Sequence, residues 1–336
     1  MLIVHPTFNS MARKEYSVHS LQVLTPEEHI RKRPGMYVGS LGYEGITVLL
    51  MKYCSSVHHE FGAEEMKITL RDEHISIEVN AHVPEAFFEV HRWQNAIFED
   101  RFYVPPIKIL ASSFNLKHQG KSKTTLQFIP DPEIWKESQI PLDYLNAQFY
   151  EFAICRKKAR VTLIDEREAV PQQLYHHYPS GLLAVAKRCY RGNQPEEDIF
   201  YLEGSIGEHR YKIALVLKNG SFPQNDPFLI FASKNKATEA GSMVNGISLG
   251  MKDALRSWEA SNMTENGRFS KKQLLSQCCL IAQVDVPVPI FAGCTKNKLD
   301  IPNVRREVRL LIKKEFLAFL QTHHKLAEVL HKVCFL

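Results

Sequence analysis

The residue types best suited to chemistry in this chain are its paired histidines, its cysteines and its rows of cations. His58-His59, His176-His177 and His323-His324 are adjacent pairs. Metal binding is the chemistry they suggest, but neighbours on a helix point about 100° apart and make poor co-ligands. They read as structural or surface histidines. The seven cysteines (Cys54, Cys155, Cys189, Cys278, Cys279, Cys294 and Cys334) contain no CxxC pair. Their scatter fits reduced thiols better than zinc ligands or disulfides, and Cys278-Cys279, at the border of an apolar run, reads as core packing. Lys157, Lys158 and Arg160 form a charge run typical of a solvated loop. Arg305, Arg309 and Lys313 recur at i, i+4 and i+8, which makes one basic stripe on a helix, flanked by Arg306 and Lys314. By pattern alone that stripe is equally a solvated face.

These residues must be carried by elements legible in the pattern. Residues 1–20 are polar without periodicity and read as a mobile arm. A short charged helix over Glu28–Arg33 is stopped by Pro34-Gly35. Ile46, Leu49, Leu50, Tyr53 and Val57 trace the apolar stripe of a helix over Glu44–Phe61. Met66–Leu70 and Ile75–Val79 alternate around the polar turn Arg71–His74, a hairpin. Pro105-Pro106 breaks the chain before the apolar stretch Ile107–Phe114, and a strand over Thr124–Ile129 ends at Pro130-Asp131-Pro132. Helices are expected over Leu142–Cys155 and Val244–Trp258. Strands are expected over Arg160–Asp165, Tyr211–Lys218, Phe228–Ser233 and Leu280–Val286. A long basic amphipathic helix, about Val304–Val333, ends the chain. Strands interleaved with helices imply α+β or α/β domains.

With 336 residues, two domains are expected, and 44% hydrophobic with 24% charged residues is ordinary for a globular protein with real cores. A net charge of +5 permits a nucleic-acid partner without requiring one. No apolar run reaches the roughly 18 residues needed to cross a bilayer, and Met1–Ser10 lacks the order of a signal peptide. The expected location is therefore the cytoplasm, with no membrane partner.

Arg31-Lys-Arg-Pro-Gly-Met-Tyr-Val-Gly39 resembles the RKRPGMYIG signature of DNA gyrase B and its topoisomerase IV counterpart, the type IIA topoisomerases. The resemblance continues in order: Thr125–Asp131, Tyr150–Arg167 (similar to RELAFLNKGVKITLTDER), Tyr178–Leu183, Thr238–Gly246, and Val286–Leu299 (similar to VPDPQFEGQTKTKL). It covers about residues 15–320 with one large deletion. It implies an α+β fold: a reduced GHKL (Bergerat-type) helix-on-sheet sandwich over 21–134, after an arm at 1–20, then a βαβ transducer-like domain over 135–336. Tyr16 falls in the arm, which in the family crosses a dimer to the partner's nucleotide.

The same resemblance locates what the family needs to split ATP, and this chain departs at each place. The helix general base that takes a proton from water falls on Lys52. The magnesium-binding Asn falls on Ser56, and Ser55 replaces the Asp before it. The adenine-binding Asp is Val79, and Ala81 stands for one of two lost glycines. The Gly-rich lid has no counterpart, and the resemblance assigns Lys108–Leu116 to the helix after it. In the switch loop the family's Gln is Cys294, while its phosphate-sensing lysine is kept as Lys296. Tyr16 and Lys296 are thus the vestigial cofactor-binding candidates; no catalytic or metal residue is expected.

The function so implied is a gyrase-B-like pseudo-ATPase. It would act as a topoisomerase-related interaction or DNA-associated protein, pairing with itself or with a topoisomerase subunit, without strand cleavage of its own and without a cofactor. The alternative is an ATP-hydrolysing ATPase/transducer subunit that binds ATP and Mg and works with other chains. Because the family's transducer lines a cavity that passes DNA, Arg305, Arg309 and Lys313 become the DNA-binding candidates, and association with the nucleoid would follow.

Overall fold

The computed structural model describes residues 24–89, 106–189, 199–217, 228–233, 235–237, 241–262, 268–287, 289–292 and 298–335. Its first helix, α1 (Pro26–Lys32), starts at a capping box: the Thr25 hydroxyl accepts from the Glu28 N–H, and the Glu28 carboxylate accepts from the Thr25 N–H. A short turn of helix, α2 (Gly35–Val38), ends at Gly39, whose φ of 81° explains the glycine there. Helix α3 (Tyr43–Glu60) then lays Ile46, Leu49, Leu50, Tyr53, Cys54 and Val57 into the core.

Strands β1 (Glu65–Leu70) and β2 (Ile75–Val79) form the expected hairpin. Strands β3 (Ala111–Gln119) and β4 (Lys123–Pro130), helix α4 (Leu142–Ile154), and strands β5 (Arg160–Asp165) and β6 (Gln172–His177) follow. They build one six-stranded sheet, ordered β3-β4-β2-β1-β5-β6. The β1/β5 pair is parallel and the other pairs are antiparallel. Helices α3 and α4 share one core with this sheet. That is a helix-on-sheet sandwich, as the resemblance implied.

Three expectations change here. Lys108–Leu116 is not a helix: a turn leads into β3, an edge strand whose Phe114 and Leu116 alternate with exposed Asn115 and Lys117. The first layer also does not stop at residue 134. β5 pairs with β1 and β6 with β5, so this unit runs on to His177, and the 134/135 boundary falls inside it. Finally, the C-terminal helix is two helices, α8 (Pro302–Thr322) and α9 (His324–Cys334), broken at His323 with φ −121° and ψ 55°.

Helix α5 (Leu182–Cys189) joins the two units. The second unit holds β7 (Ile199–Ile206), β8 (His209–Leu217), β9 (Phe228–Ala232), β10 (Asn235–Ala237), α6 (Ser242–Asn262), α7 (Lys271–Ser276) and β11 (Cys278–Asp285), followed by α8 and α9. Its sheet is ordered β10-β9-β11-β8-β7. β9 and β11 are parallel with α6 between them in sequence, the βαβ unit expected of the second domain. Helices α6, α8 and α9 cover one face. On the opposite face α5 and the end of α4 pack, through Ile154, Leu182, Val185, Phe231 and Ile281. Two ion pairs reinforce this joint between the units: Lys236–Glu151 at 2.8 Å and Lys157–Glu203 at 3.0 Å. Lys157 is therefore a joint residue and not simply loop charge.

Helices α6 and α8 touch at backbone distance. A Cβ placed on Gly246 would lie 2.7 Å from the Arg305 carbonyl oxygen, and one on Gly250 would lie 2.7 Å from that of Arg309. Small residues one turn apart are what this close approach requires.

Candidate functional site

The first candidate site is the inner face of α3 against β2. The signature turn that precedes α3 is anchored by charge. Arg31 donates from Nη2 to Asp131 Oδ2 at 2.6 Å and from Nη1 to the Ile109 carbonyl at 2.9 Å. The first of these bonds is the chief reason the Asp131 carboxyl sits below the usual carboxylate range. Lys52 projects from the half-buried part of α3 and donates from Nζ to the Tyr37 carbonyl at 3.2 Å, tying the helix back to the signature turn. As a donor here, Lys52 braces the helix against that turn. Ser56, one turn on, is half-buried and offers only a neutral oxygen.

The opposite wall is apolar. Val79 closes β2, 1% exposed, between Met66 and Thr124 on the neighbouring strands. Ala81 and Val83 are buried, and Thr124 Oγ1 ties them together: it donates to the Ala81 carbonyl at 2.7 Å and accepts from the Val83 N–H at 2.9 Å. Aromatic rings join α3 to the turn Glu85–Phe88 and to β3. Tyr53 stacks on Phe88 at 5.8 Å between centroids, Phe87 meets Phe61 edge-on at 5.2 Å, and Phe88 meets Phe114 at 5.0 Å. Tyr53 and Phe87 are fully buried. The Tyr53 hydroxyl has no hydrogen-bond partner among the described residues, and burial pushes its pKa upward. This aromatic cluster was not anticipated from sequence. The signal was there in Phe87-Phe88 and in an aromatic at position 53, but nothing local said that the three rings converge.

Ser55 has acquired a different role. Its hydroxyl accepts from Arg156 Nη2 at 2.8 Å. The Arg156 guanidinium lies 3.9 Å above the Phe152 ring and donates to the Phe152 carbonyl at 3.1 Å. Burial, the dominant effect, lowers its pKa to about 10.

The second candidate site is the surface of α8. Arg305, Arg309 and Lys313 are all exposed and on one stripe, as expected. Arg309 is not a free cation: its Nε lies 2.6 Å from Asp253 Oδ2 on α6. One further cation, which sequence spacing could not associate with the stripe, lies beside Arg305. Lys271 donates to Asn245 Oδ1 at 2.6 Å, and its pKa is lowered by burial and then by the charge of Arg305. On α6, Lys252 lies over the Phe269 ring and Arg256 over that of Phe335. The patch around Arg305 is therefore composite, drawn from α7 and α8.

Tyr16 and Lys296 lie outside the described residues, as does Cys294. The histidine pairs serve local bonds: His58 Nδ1 with the Ala63 carbonyl at 2.6 Å, His177 Nδ1 with the Ala159 carbonyl at 3.2 Å, and His176 Nδ1 with the Tyr178 hydroxyl at 3.3 Å. Among the described residues no three His, Cys, Asp or Glu side chains gather to hold a metal ion, and no helix is long and apolar enough to cross a membrane.

Comparison with known proteins bears on both sites. Residues 189–336 match the DNA gyrase B family model. The gyrase B protein of Archaeoglobus fulgidus is 22% identical over 94% of this chain, which spans 58% of that relative's length. Two solved structures share the fold across both units. One is the gyrase B protein from Myxococcus xanthus, with a TM-score of 0.75 and 19% identity, covering 91% of this chain and 99% of that one. The other is the topoisomerase IV ATP-binding domain of Francisella tularensis, with a TM-score of 0.69 and 17% identity, covering 93% and 98%. The chain thus resembles DNA gyrase B over nearly its whole length, in sequence as in fold.

Proposed function

We propose that this gyrase-B-like chain is a pseudo-ATPase: a scaffold that works through protein and DNA contacts and does not bind or split ATP. The observation that carries this reading is the ring cluster of Tyr53, Phe87 and Phe88, which packs α3 against the turn Glu85–Phe88 that follows β2. ATP and magnesium do not fit the residues around it. Lys52 is a cation already donating to a carbonyl, and so cannot take a proton from water. Ser56 lacks the charge or carbonyl dipole that magnesium prefers. Val79 offers no acceptor to an adenine amino group.

Calorimetric titration with Mg-ATP and with a non-hydrolysable analogue tests the proposal, beside a phosphate-release assay. No heat of binding and no release are expected. Micromolar, magnesium-dependent affinity would overturn it and return the chain to the ATP-hydrolysing alternative.

The composite cationic patch favours DNA as one partner. Arg305 and Lys313 offer phosphate contacts from one helix, with Lys271 alongside. Binding of this kind is insensitive to sequence, because contacts to phosphates carry no base information. A second copy of the chain or a topoisomerase subunit is the other partner class, supported by the resemblance to a protein named as a subunit. Light scattering of the purified chain, alone and with the gyrase A protein, separates those two.

A further inference from the structure

Strand β11 opens with two adjacent cysteines, and a strand sends neighbours to opposite faces. Cys278 enters the core under α6, α8 and α9, whereas Cys279 enters the cluster under α5. There it lies in one cluster with a second thiol: Cys189, the last residue of α5, packs against that cluster and is the chief cause that raises the Cys279 pKa. Among the described cysteines, Cys54, Cys155, Cys278, Cys279 and Cys334 are buried and only Cys189 is half-exposed. One reachable thiol thus lies beside one sheltered thiol, and they sit on two elements that meet at the joint between the units.

We propose that Cys189 and Cys279 form a reversible disulfide by exchange with a low-molecular-weight disulfide such as oxidised glutathione, fastening α5 to the second sheet. The Cys189 thiolate attacks one sulfur of the glutathione disulfide. That S–S bond breaks, one glutathione thiolate leaves, and Cys189 carries a mixed disulfide. The Cys279 thiol then attacks the Cys189 sulfur, losing its proton to the departing second glutathione. Two protein thiols are oxidised and one glutathione disulfide is reduced to two thiols, so electrons and protons balance. Excess reduced glutathione runs the sequence backward. Because α5 follows the last strand of the first sheet and leads to β7, the bond closes the segment 189–279 and holds the joint helix on its sheet.

The test equilibrates the full chain in glutathione buffers of rising oxidised fraction, then alkylates, digests and maps it by mass spectrometry. The expected result is loss of two alkylatable thiols per chain, a cross-linked peptide joining residues 189 and 279, full reversal by dithiothreitol, and a thermal midpoint higher when oxidised. Cys189→Ser and Cys279→Ser should each abolish the cross-link and the midpoint shift; Cys279→Ala serves if a hydroxyl in the core prevents folding. The wild-type peptide map needs no variant. The proposal is overturned if Cys189 stays fully alkylatable, if it stops at a stable glutathione adduct, or if the cross-link uses Cys155 or Cys294.

Discussion

Replacing Tyr53 by Phe should stabilise the protein. The ring is fully buried in the packed space beneath α3, stacked on Phe88, and its hydroxyl meets no acceptor or donor among the described residues. An unsatisfied buried hydroxyl carries a desolvation penalty of about 1–3 kcal/mol. Deleting one oxygen keeps the ring and its contacts, and the small void it leaves costs at most ~0.5 kcal/mol at about 24 cal/mol per Å³. The net expectation is a gain of roughly 1–2 kcal/mol. Urea unfolding of both proteins measures it as a higher midpoint at unchanged slope. Phe87→Ala is the companion: emptying a fully buried ring position should cost about 3–5 kcal/mol. A loss of stability in Tyr53→Phe would show that the hydroxyl is hydrogen-bonded in solution. The closed aromatic packing on which the pseudo-ATPase reading depends would then be wrong.

The other expectations concern pH and salt. Burial, and then the charge of Arg188, hold the His176 pKa below its usual value, so the unfolded state takes up the proton first on acidification. The contribution is therefore whole above about pH 6.5 and shrinks as pH falls below it, and His176→Gln should flatten stability between roughly pH 6.5 and 5. Asp165 is depressed chiefly by its bonds to Arg167, at 2.7 and 2.6 Å; its share is present above about pH 4 and lost as pH falls through the lower folded value, so Asp165→Asn should blunt acid unfolding. On a random-sequence duplex, Arg305→Ala and Lys313→Ala should each lower the log–log salt slope of binding by about 0.9, and Arg309→Ala by less, because Asp253 already neutralises it. Unchanged slopes in all three would mark the α8 face as ordinary solvated surface.

What the sequence disclosed and what it hid divide along physical lines. The β1–β2 hairpin, α3 and the strand over residues 160–165 were legible because their periodicity reports burial locally. β3 was not, since ASSFNLKHQ is an exposed edge strand with only Phe114 and Leu116 turned inward. The break at His323 carries no Pro or Gly. The first unit's extent was hidden because it rests on the parallel pairing of β1 with β5, a contact between residues far apart in sequence. At the site, the substitutions at 52, 56, 79 and 81 were readable one at a time. The rings that converge on Tyr53 and the approach of Lys271 to Arg305 are tertiary facts.

The distribution of the changes argues for how this scaffold is used. Here the altered positions have taken on structural partners. Lys52 braces the signature turn through Tyr37, Ser55 accepts from the buried guanidinium of Arg156, and Val79 with Ala81 seals the end of β2. Arg156 in turn belongs to the segment that packs on the second unit, near Asp285. A buried guanidinium is costly to strand without a partner, so Ser55 and Arg156 form a dependent pair linking α3 to the joint. In a nucleotide-driven machine that path from α3 to the joint would need to move. In this chain it is bonded, packed and reinforced by Lys236–Glu151 and Lys157–Glu203. A joint so held is consistent with the proposed platform role of the α8 face.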